Sequence, residues 1–221
     1  MTIPRSLIAA NLSRVLERVC SAAERAGRNP RDVRLIAVTK SVGIEEARSL
    51  WELGVSELGE NRAEHAREKV EALPEARWHM IGSCQRRKAP GVVALFPHVD
   101  SVDRIELAEA LERRCEEQDK MLRVLLEVNV SGETAKHGFA PRQVEGALTA
   151  MRLFDRLSVE GLMTMAPLAA DAEAARPVFA ALRRLAADLG LRELSMGMTN
   201  DFEVAIEEGA TQVRIGTALF V

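Results

Sequence analysis

The sequence has no tyrosine, only three cysteines and no marked excess of charge of either sign. Without tyrosine, no phenol group is available as an acid or a base. Cys20, Cys84 and Cys115 are odd in number and show no metal-ligand spacing, and the chain opens without an apolar signal segment. These features are typical of a protein in a reducing cytoplasm.

The 30 basic and 33 acidic residues are interspersed and give a formal net charge of -3. A nucleic-acid partner needs a basic face for its phosphate backbone, and the sequence indicates none. No apolar run approaches the roughly 18 residues that a membrane-spanning helix requires. We therefore expect a soluble monomer that binds neither nucleic acid nor membrane.

Short apolar runs alternate with helix-like patterns along a chain whose 221 residues suffice for one core, so we expect a single domain over 1–221. An amphipathic N-terminal helix, apolar from Ile8 to Val19, should end near the turn at 27–30. The strand candidates that follow are 33–38, 57–60, 77–81, 98–102, 122–130, 157–165, 193–196 and 212–215. Eight βα units predict a closed (β/α)8 TIM-type barrel with an extra N-terminal helix. An open doubly wound sheet is the rival, but no Gly-rich dinucleotide turn follows the first strand.

Two polar residues follow the first two strand candidates, at the end of a barrel where active sites are found. Lys40 follows the first run, where a lysine can be a solvated or salt-bridged residue or can form a Schiff base with an aldehyde. Asn61 follows the second and can hydrogen-bond a ring hydroxyl, although asparagine is also a common helix N-cap.

Small and hydroxyl residues cluster after the last two strand candidates. Ser195 and Gly197 stand at the seventh, and Gly216 and Thr217 at the eighth. Barrels frequently bind phosphate through these two loops, because glycine permits close approach to backbone N–H groups and hydroxyls add donors. Tight turns without a ligand are the alternative interpretation.

Arg214 lies within the eighth strand candidate, so its side chain faces either the barrel interior or the helix layer. Pointing inward, it could donate to an acceptor such as a pyridine nitrogen. Pointing outward, it would pair with a helix carboxylate such as Glu203. Strand parity does not decide between the two.

Seven motifs in order resemble the pyridoxal phosphate homeostasis protein family (the YggS/PROSC type), which is itself similar to the barrel domain of alanine racemase. They cover nearly the whole chain. The motifs are LIAVTK at 35–40, GEN at 59–61, WHMIG at 78–82, NVSGE at 129–133 with Lys136 and Gly138, GLMTM at 161–165, LSMGM at 194–198 and VRIGTALF at 213–220.

The resemblance implies a role for each candidate residue toward pyridoxal 5′-phosphate (PLP). Lys40 would form the internal aldimine, Asn61 would lie beside the ring, and Arg214 would face the pyridine nitrogen. An arginine does not readily release its proton, so that nitrogen would stay unprotonated and the ring would be a weaker electron sink. The phosphate would be held by Ser195, Gly197, Gly216 and Thr217.

The chain departs from the family pattern at two places. Family members usually read Gln-x-Asn-Lys where this chain has QRRK at 85–88, after Cys84 at a usually aliphatic position. The sequence MTND at 198–201 stands where Met-Ser-x-Asp is usual, and Thr199 preserves the hydroxyl. The first departure puts the contacts of that loop in doubt, and the second should leave phosphate binding intact.

The resemblance implies a PLP carrier that limits free PLP and supplies apo-enzymes, without ordinary turnover. An alanine-type racemase is disfavoured because it needs a lysine and a tyrosine from a second domain, whereas this chain has no tyrosine and stops at Val221. A Schiff-base aldolase acting on a phosphorylated carbonyl compound could use the same lysine and loops. A pure interaction protein would not depend on Lys40.

Overall fold

A computed structural model describes residues 2–134 and 136–221. Met1 and Ala135, which fall within the expected domain 1–221, lie outside the described residues. Eight parallel strands close into a barrel in chain order. The strands are Arg34–Val38 (β1), Glu57–Glu60 (β2), Arg77–Met80 (β3), His98–Val102 (β4), Leu122–Glu127 (β5), Leu157–Met163 (β6), Glu193–Ser195 (β7) and Gln212–Ile215 (β8). The predicted barrel is confirmed, and the open doubly wound sheet is excluded.

The barrel closes between its first and last strands. β1 and β8 pair in parallel from Arg34 opposite Gln212 to Ala37 opposite Ile215. Because all the strands are parallel, the residues that follow them lie at one rim. The candidates after β1, β2, β7 and β8 therefore share that rim.

Helices surround the barrel and connect its strands. The α-helices among the described residues are Arg5–Arg25 (α1), Ile44–Glu52 (α2), Ala63–Ala72 (α3), Ala89–Leu95 (α4), Ile105–Gln118 (α5), Val144–Met151 (α6), Arg176–Asp188 (α7), Phe202–Glu207 (α8) and Thr217–Phe220 (α9). Short 3₁₀ helices occur at Pro30–Asp32, Arg86–Lys88, Pro141–Gln143 and Ala172–Ala175. Among the described residues, no helix is long and apolar enough to cross a membrane.

The extra N-terminal helix α1 packs against the last part of the chain, α8 and α9. Its apolar positions Ile8, Leu12 and Val15 are buried at helical spacing, as the sequence pattern predicts. The buried Asn11 amide donates to the backbone oxygens of Leu219 and Val221, each at 3.2 Å. The helix thus anchors the C-terminal turn beside the rim.

Side chains alternate between the barrel interior and the helix layer. In β3, buried Trp78 faces the helices, and its indole N–H donates to the Leu73 carbonyl at 3.0 Å. Its neighbour His79 faces the interior and contacts Glu57 and Asp100. Burying a large apolar side chain such as Trp78 contributes about 1.5–3 kcal/mol. Because of the same alternation, every second residue at the carboxyl ends of the strands faces the opening of the barrel at the rim.

Two strands end at least two residues earlier than the sequence indicates. β5 ends at Glu127 instead of residue 130, and Val128 makes only an isolated bridge to Phe139. The chain turns there because the Asn129 side chain accepts the Gly132 N–H at 3.0 Å and donates to the Glu133 carbonyl at 2.8 Å. β6 likewise ends at residue 163 instead of 165.

Candidate functional site

A cavity of about 440 Å³ opens at the carboxyl ends of the strands. Its volume falls within the roughly 300–1,000 Å³ that is usual for small-molecule sites. Five of the seven candidate residues line it, namely Lys40, Asn61, Arg214, Gly216 and Thr217. Residues that are distant in sequence therefore meet in one cavity.

Lys40 lies two residues beyond the end of β1, and its side chain is exposed. Val38 and Lys40 both line the cavity, whereas the intervening Thr39 is buried on the other side of the strand. Asn61 follows β2 in the same way and lines the cavity. A Cβ on Gly82 would fall 2.7 Å from the Asn61 Cα, so only glycine permits this close approach.

A buried cluster of Thr39, Glu60 and Lys69, here called the anchor cluster, lies directly behind these two residues. The Lys69 ammonium donates to the Glu60 carboxylate at 2.7 Å and to the Thr39 carbonyl at 2.6 Å. The Thr39 hydroxyl donates to the same Glu60 oxygen at 2.7 Å, while the second oxygen of Glu60 is buried without a described partner. The cluster links α3 to the ends of β1 and β2. It thereby fixes Thr39 and Glu60, the residues that directly precede Lys40 and Asn61.

Arg214 points into the barrel, which decides between the two orientations that the sequence leaves open. Its guanidinium donates to the Ser195 hydroxyl at 2.7 Å and to the Thr164 carbonyl at 2.9 Å. Glu203, the outward alternative, pairs with Arg18 at 2.8 Å. Burial lowers the pKa of Arg214 from its usual value, but arginine keeps its proton in proteins, so the cavity retains a fixed cation.

Ser195 and Gly197 are not among the residues that line the cavity. Ser195 is fully buried, and its hydroxyl accepts the hydrogen bond from Arg214. Gly197 has φ +92°, and a Cβ there would fall 2.9 Å from the Phe202 Cα. Its carbonyl accepts the Arg214 backbone N–H at 3.0 Å. In this structure both residues hold Arg214 and shape the loop, whereas residues 198–201 form the cavity wall.

Gly216 and Thr217 form the turn between β8 and the short helix α9, and both line the cavity. A Cβ on Gly216 would fall 3.3 Å from the Val38 carbonyl oxygen, so the ends of β8 and β1 approach closely. The first N–H groups of a helix have no partner within it. These groups, together with the Thr217 hydroxyl, can donate to an anion.

Glu127 is a cavity residue that the sequence reasoning missed. It ends β5, is 3% exposed and lines the cavity. Burial and the nearby Asp103 charge raise the pKa of Glu127 to about 7, against the opposing effect of Arg214 and His137. The strand predicted over 122–130 places Glu127 in mid-strand, whereas a strand ending at 127 would have marked it as a rim residue.

Of the two segments that depart from the family pattern, residues 198–201 line the cavity, whereas residues 84–88 lie beside it and do not line it. Residues 81–83 contribute to the lining, whereas Cys84 is buried in the core. Burial raises the pKa of the Cys84 thiol to about 11, so the thiolate is scarce near neutral pH. Lys88 pairs with Glu64 at 2.7 Å on the surface. The departure at residues 84–88 therefore lies outside the cavity lining.

A charged network fills the barrel beneath the cavity. The imidazole of His79 contacts Glu57 at 2.7 Å and Asp100 at 3.1 Å, and stacks on His98 with ring centroids 4.3 Å apart. Burial alone would lower the pKa of His79, but Asp100 and Glu57 outweigh it and raise the pKa to about 9. Burial and the neighbouring His79 charge lower the pKa of His98 to about 4. His79 is therefore charged, and His98 neutral, near pH 7.

We expect the free energy of unfolding to fall as pH rises through about 9. The pKa of His79 is higher in the folded protein than in the unfolded chain. Its contribution to the free energy of unfolding is therefore complete below the unfolded pKa near 6.5 and is lost above the folded pKa. The change from 6.5 to about 9 corresponds to roughly 3 kcal/mol. Urea unfolding between about pH 6 and pH 10 measures it. His79→Gln should flatten the curve, and exposed His65→Gln should not; identical curves for the first variant and wild type would refute this role.

Residues 10–221 match the family described as "Alanine racemase, N-terminal domain". The fold and the rim cavity thus define a barrel of the alanine racemase N-terminal type.

Individual relatives give a narrower placement. The "Pyridoxal phosphate homeostasis protein" of Aquifex aeolicus (strain VF5) is 41% identical over 217 residues, which cover 95% of both chains. The protein of that name from Pseudomonas aeruginosa is 41% identical over 219 residues, covering 97% of this chain and 95% of its own. The structure of PipY from Synechococcus elongatus PCC7942, with PLP bound, has a TM-score of 0.83 at 32% identity and covers 97% of this chain and 100% of PipY. This chain therefore belongs to the pyridoxal phosphate homeostasis protein family.

Proposed function

We propose that this protein binds PLP in the rim cavity through a Schiff base to Lys40, and that it acts as a PLP carrier and homeostasis protein. The observation that carries the proposal is the convergence of Lys40, Arg214 and the turn at Gly216 and Thr217 on one cavity. The relatives support the same ligand, since they are named for pyridoxal phosphate homeostasis and PipY is described with PLP bound.

The residues present fit the chemical groups of PLP. Bound PLP supplies an aldehyde that condenses with a primary amine, and the exposed Lys40 side chain offers one. Backbone N–H groups at Gly216 and Thr217 suit a phosphate. Arg214, oriented by Ser195, provides a donor that suits a pyridine nitrogen, and Asn61 provides an amide for a ring substituent. We assign Ser195 and Gly197 to the support of this site, next to the phosphate-binding turn.

Two features favour a carrier over an enzyme. A racemase-like mechanism needs a second acid or base, and the sequence has no tyrosine to supply it. A protonated Arg214 at the ring nitrogen restrains carbanion chemistry, because it leaves that nitrogen without a proton. The racemase-like enzyme and the Schiff-base aldolase remain the alternatives that an activity assay has to exclude.

We also propose a location, an oligomeric state and partners for the protein. We infer a cytoplasmic monomer with one PLP-binding domain over 1–221, whose macromolecular partners are apo-enzymes that need PLP. The balanced charge, with 30 basic and 33 acidic residues, supports the absence of a nucleic-acid partner.

The deciding experiment is the loading of purified wild-type protein with PLP. We expect a visible absorbance band from the protein-bound Schiff base and, after borohydride reduction, a mass increase of one reduced PLP mapped to the peptide that contains Lys40. A protein that gives neither signal at saturating PLP does not have this function. Trapping that requires a phosphorylated carbonyl compound and not PLP would favour the aldolase.

A further inference from the structure

Three carboxyl groups line the cavity, and Glu127 is the one that the described structure leaves without a hydrogen-bond partner. Asp171 accepts the Glu173 N–H at 3.0 Å, and Asp201 accepts the Met198 N–H at 2.6 Å. These two carboxylates stabilise local turns. The Glu127 side chain, by contrast, is 3% exposed at the end of β5 and lines the cavity. The Glu127 carboxyl is therefore available to a ligand in the cavity.

The charges around Glu127 come from four sides. Asp103, after β4, opposes its ionisation, whereas Arg214 in β8 and His137 in the loop after β5 favour it. Lys40 lines the same cavity from β1, on the opposite side of the barrel. The two terminal nitrogens of Arg214 donate to Ser195 and Thr164, and no described ion pair joins Arg214 to Glu127. A carboxylate at Glu127 therefore has no direct counter-ion among the described residues.

We propose that Glu127 meets bound PLP as a neutral carboxylic acid, so that the cavity takes up a proton together with the ligand. This inference rests on the proposed function. PLP carries its negative charge on a phosphate group, and a further anion in a shared cavity disfavours a carboxylate. The neutral acid can also donate a hydrogen bond to a ligand oxygen, which a carboxylate cannot.

Ligand binding and proton binding are then linked. The free protein holds Glu127 partly ionised near neutral pH, because burial and Asp103 raise the pKa of the carboxyl to about 7. If the ligand requires the neutral form, affinity falls as pH rises above that value, by up to about tenfold per pH unit. Glutamine has nearly the same shape, donates hydrogen bonds and does not titrate, so Glu127→Gln isolates the effect.

The test compares wild type and Glu127→Gln by titration with PLP from about pH 6 to about pH 8. We expect similar affinities at the lower pH and about tenfold weaker binding of wild type relative to the variant at the higher pH. All other groups of the ligand and of the cavity are the same in the two proteins, so their contributions cancel in the ratio. Calorimetry near pH 7, in two buffers of different ionisation enthalpy, should show about half a proton more taken up by wild type.

Asp171→Asn is the matched control, since it removes another cavity carboxylate and keeps an oxygen that can accept the Glu173 N–H. Its affinity should follow the pH dependence of wild type. Parallel pH curves for wild type and Glu127→Gln would overturn the inference, as would loss of binding by Glu127→Gln at every pH, which would assign a role to the charged form. Failure of wild type to bind PLP at all would instead remove the proposed function, and this inference with it.

Discussion

Replacing Lys40 with alanine should abolish covalent attachment of PLP. The cavity offers other polar groups, but Lys40 is the lysine that lines it among the described residues. Without a primary amine at that point, no Schiff base can form, so the visible band and the borohydride-trapped mass should both disappear. Because the Lys40 side chain is exposed and makes no described ion pair, we expect unfolding free energy to change by no more than about 0.5 kcal/mol.

Lys88→Ala provides the control for this result. Lys88 is another lysine at the carboxyl end of the barrel, in the segment after β3, where it pairs with Glu64 outside the cavity. It should leave the band and the trapped mass unchanged. A Lys40→Ala protein that still traps PLP at wild-type stoichiometry would show that a different amine carries the ligand.

Replacing Lys69 with methionine should destabilise the protein by about 3–5 kcal/mol. The change removes the ammonium from the anchor cluster and leaves the fully buried Glu60 carboxylate with only the Thr39 hydroxyl. An uncompensated buried charge is far less stable than a paired one. Urea unfolding measures the loss, and weaker loading with PLP should accompany it because the ends of β1 and β2 lose their common anchor.

Two further variants separate the charge effect from the loss of packing. Lys69→Met combined with Glu60→Gln removes both charges and should recover part of the loss. Lys88→Met breaks a lysine–glutamate pair of the same 2.7 Å length whose side chains are 38% and 55% exposed, and should change stability by less than about 1 kcal/mol. Equal effects of Lys69→Met and Lys88→Met would contradict the assigned role of burial.

The barrel was predictable because its signals are local and repeated. Short strand candidates, the most apolar of them β1 and β5, alternate along the chain with amphipathic stretches, and this alternation fits few other architectures. The ends of the strands were less predictable. The turn at Asn129 that ends β5 depends on side-chain hydrogen bonds to Gly132 and Glu133, whereas the apolar pattern continues through Val128 and Val130.

The candidate site was predictable only in part. Lys40 and Asn61 follow clearly bounded strands, so their positions at the rim come directly from strand order. Whether Arg214 faces inward depends on contacts with Ser195 at the end of β7 and Thr164 just after β6, which leave no local signal in the sequence around Arg214. Glu127 was missed for a different reason, because the apolar pattern extends the predicted strand to residue 130 and hides the strand end at Glu127.

The pairing of β1 with β8 also has a consequence for synthesis. Lys40 is synthesised well before the turn at Gly216 and Thr217, which lies far downstream in the sequence. A nascent chain thus contains the Lys40 amine long before it contains the turn at Gly216 and Thr217 that would bind an anion. A ligand bound across the pairing of β1 with β8 would contact the first and the last strand of the barrel at once, and would therefore oppose the separation of these two strands.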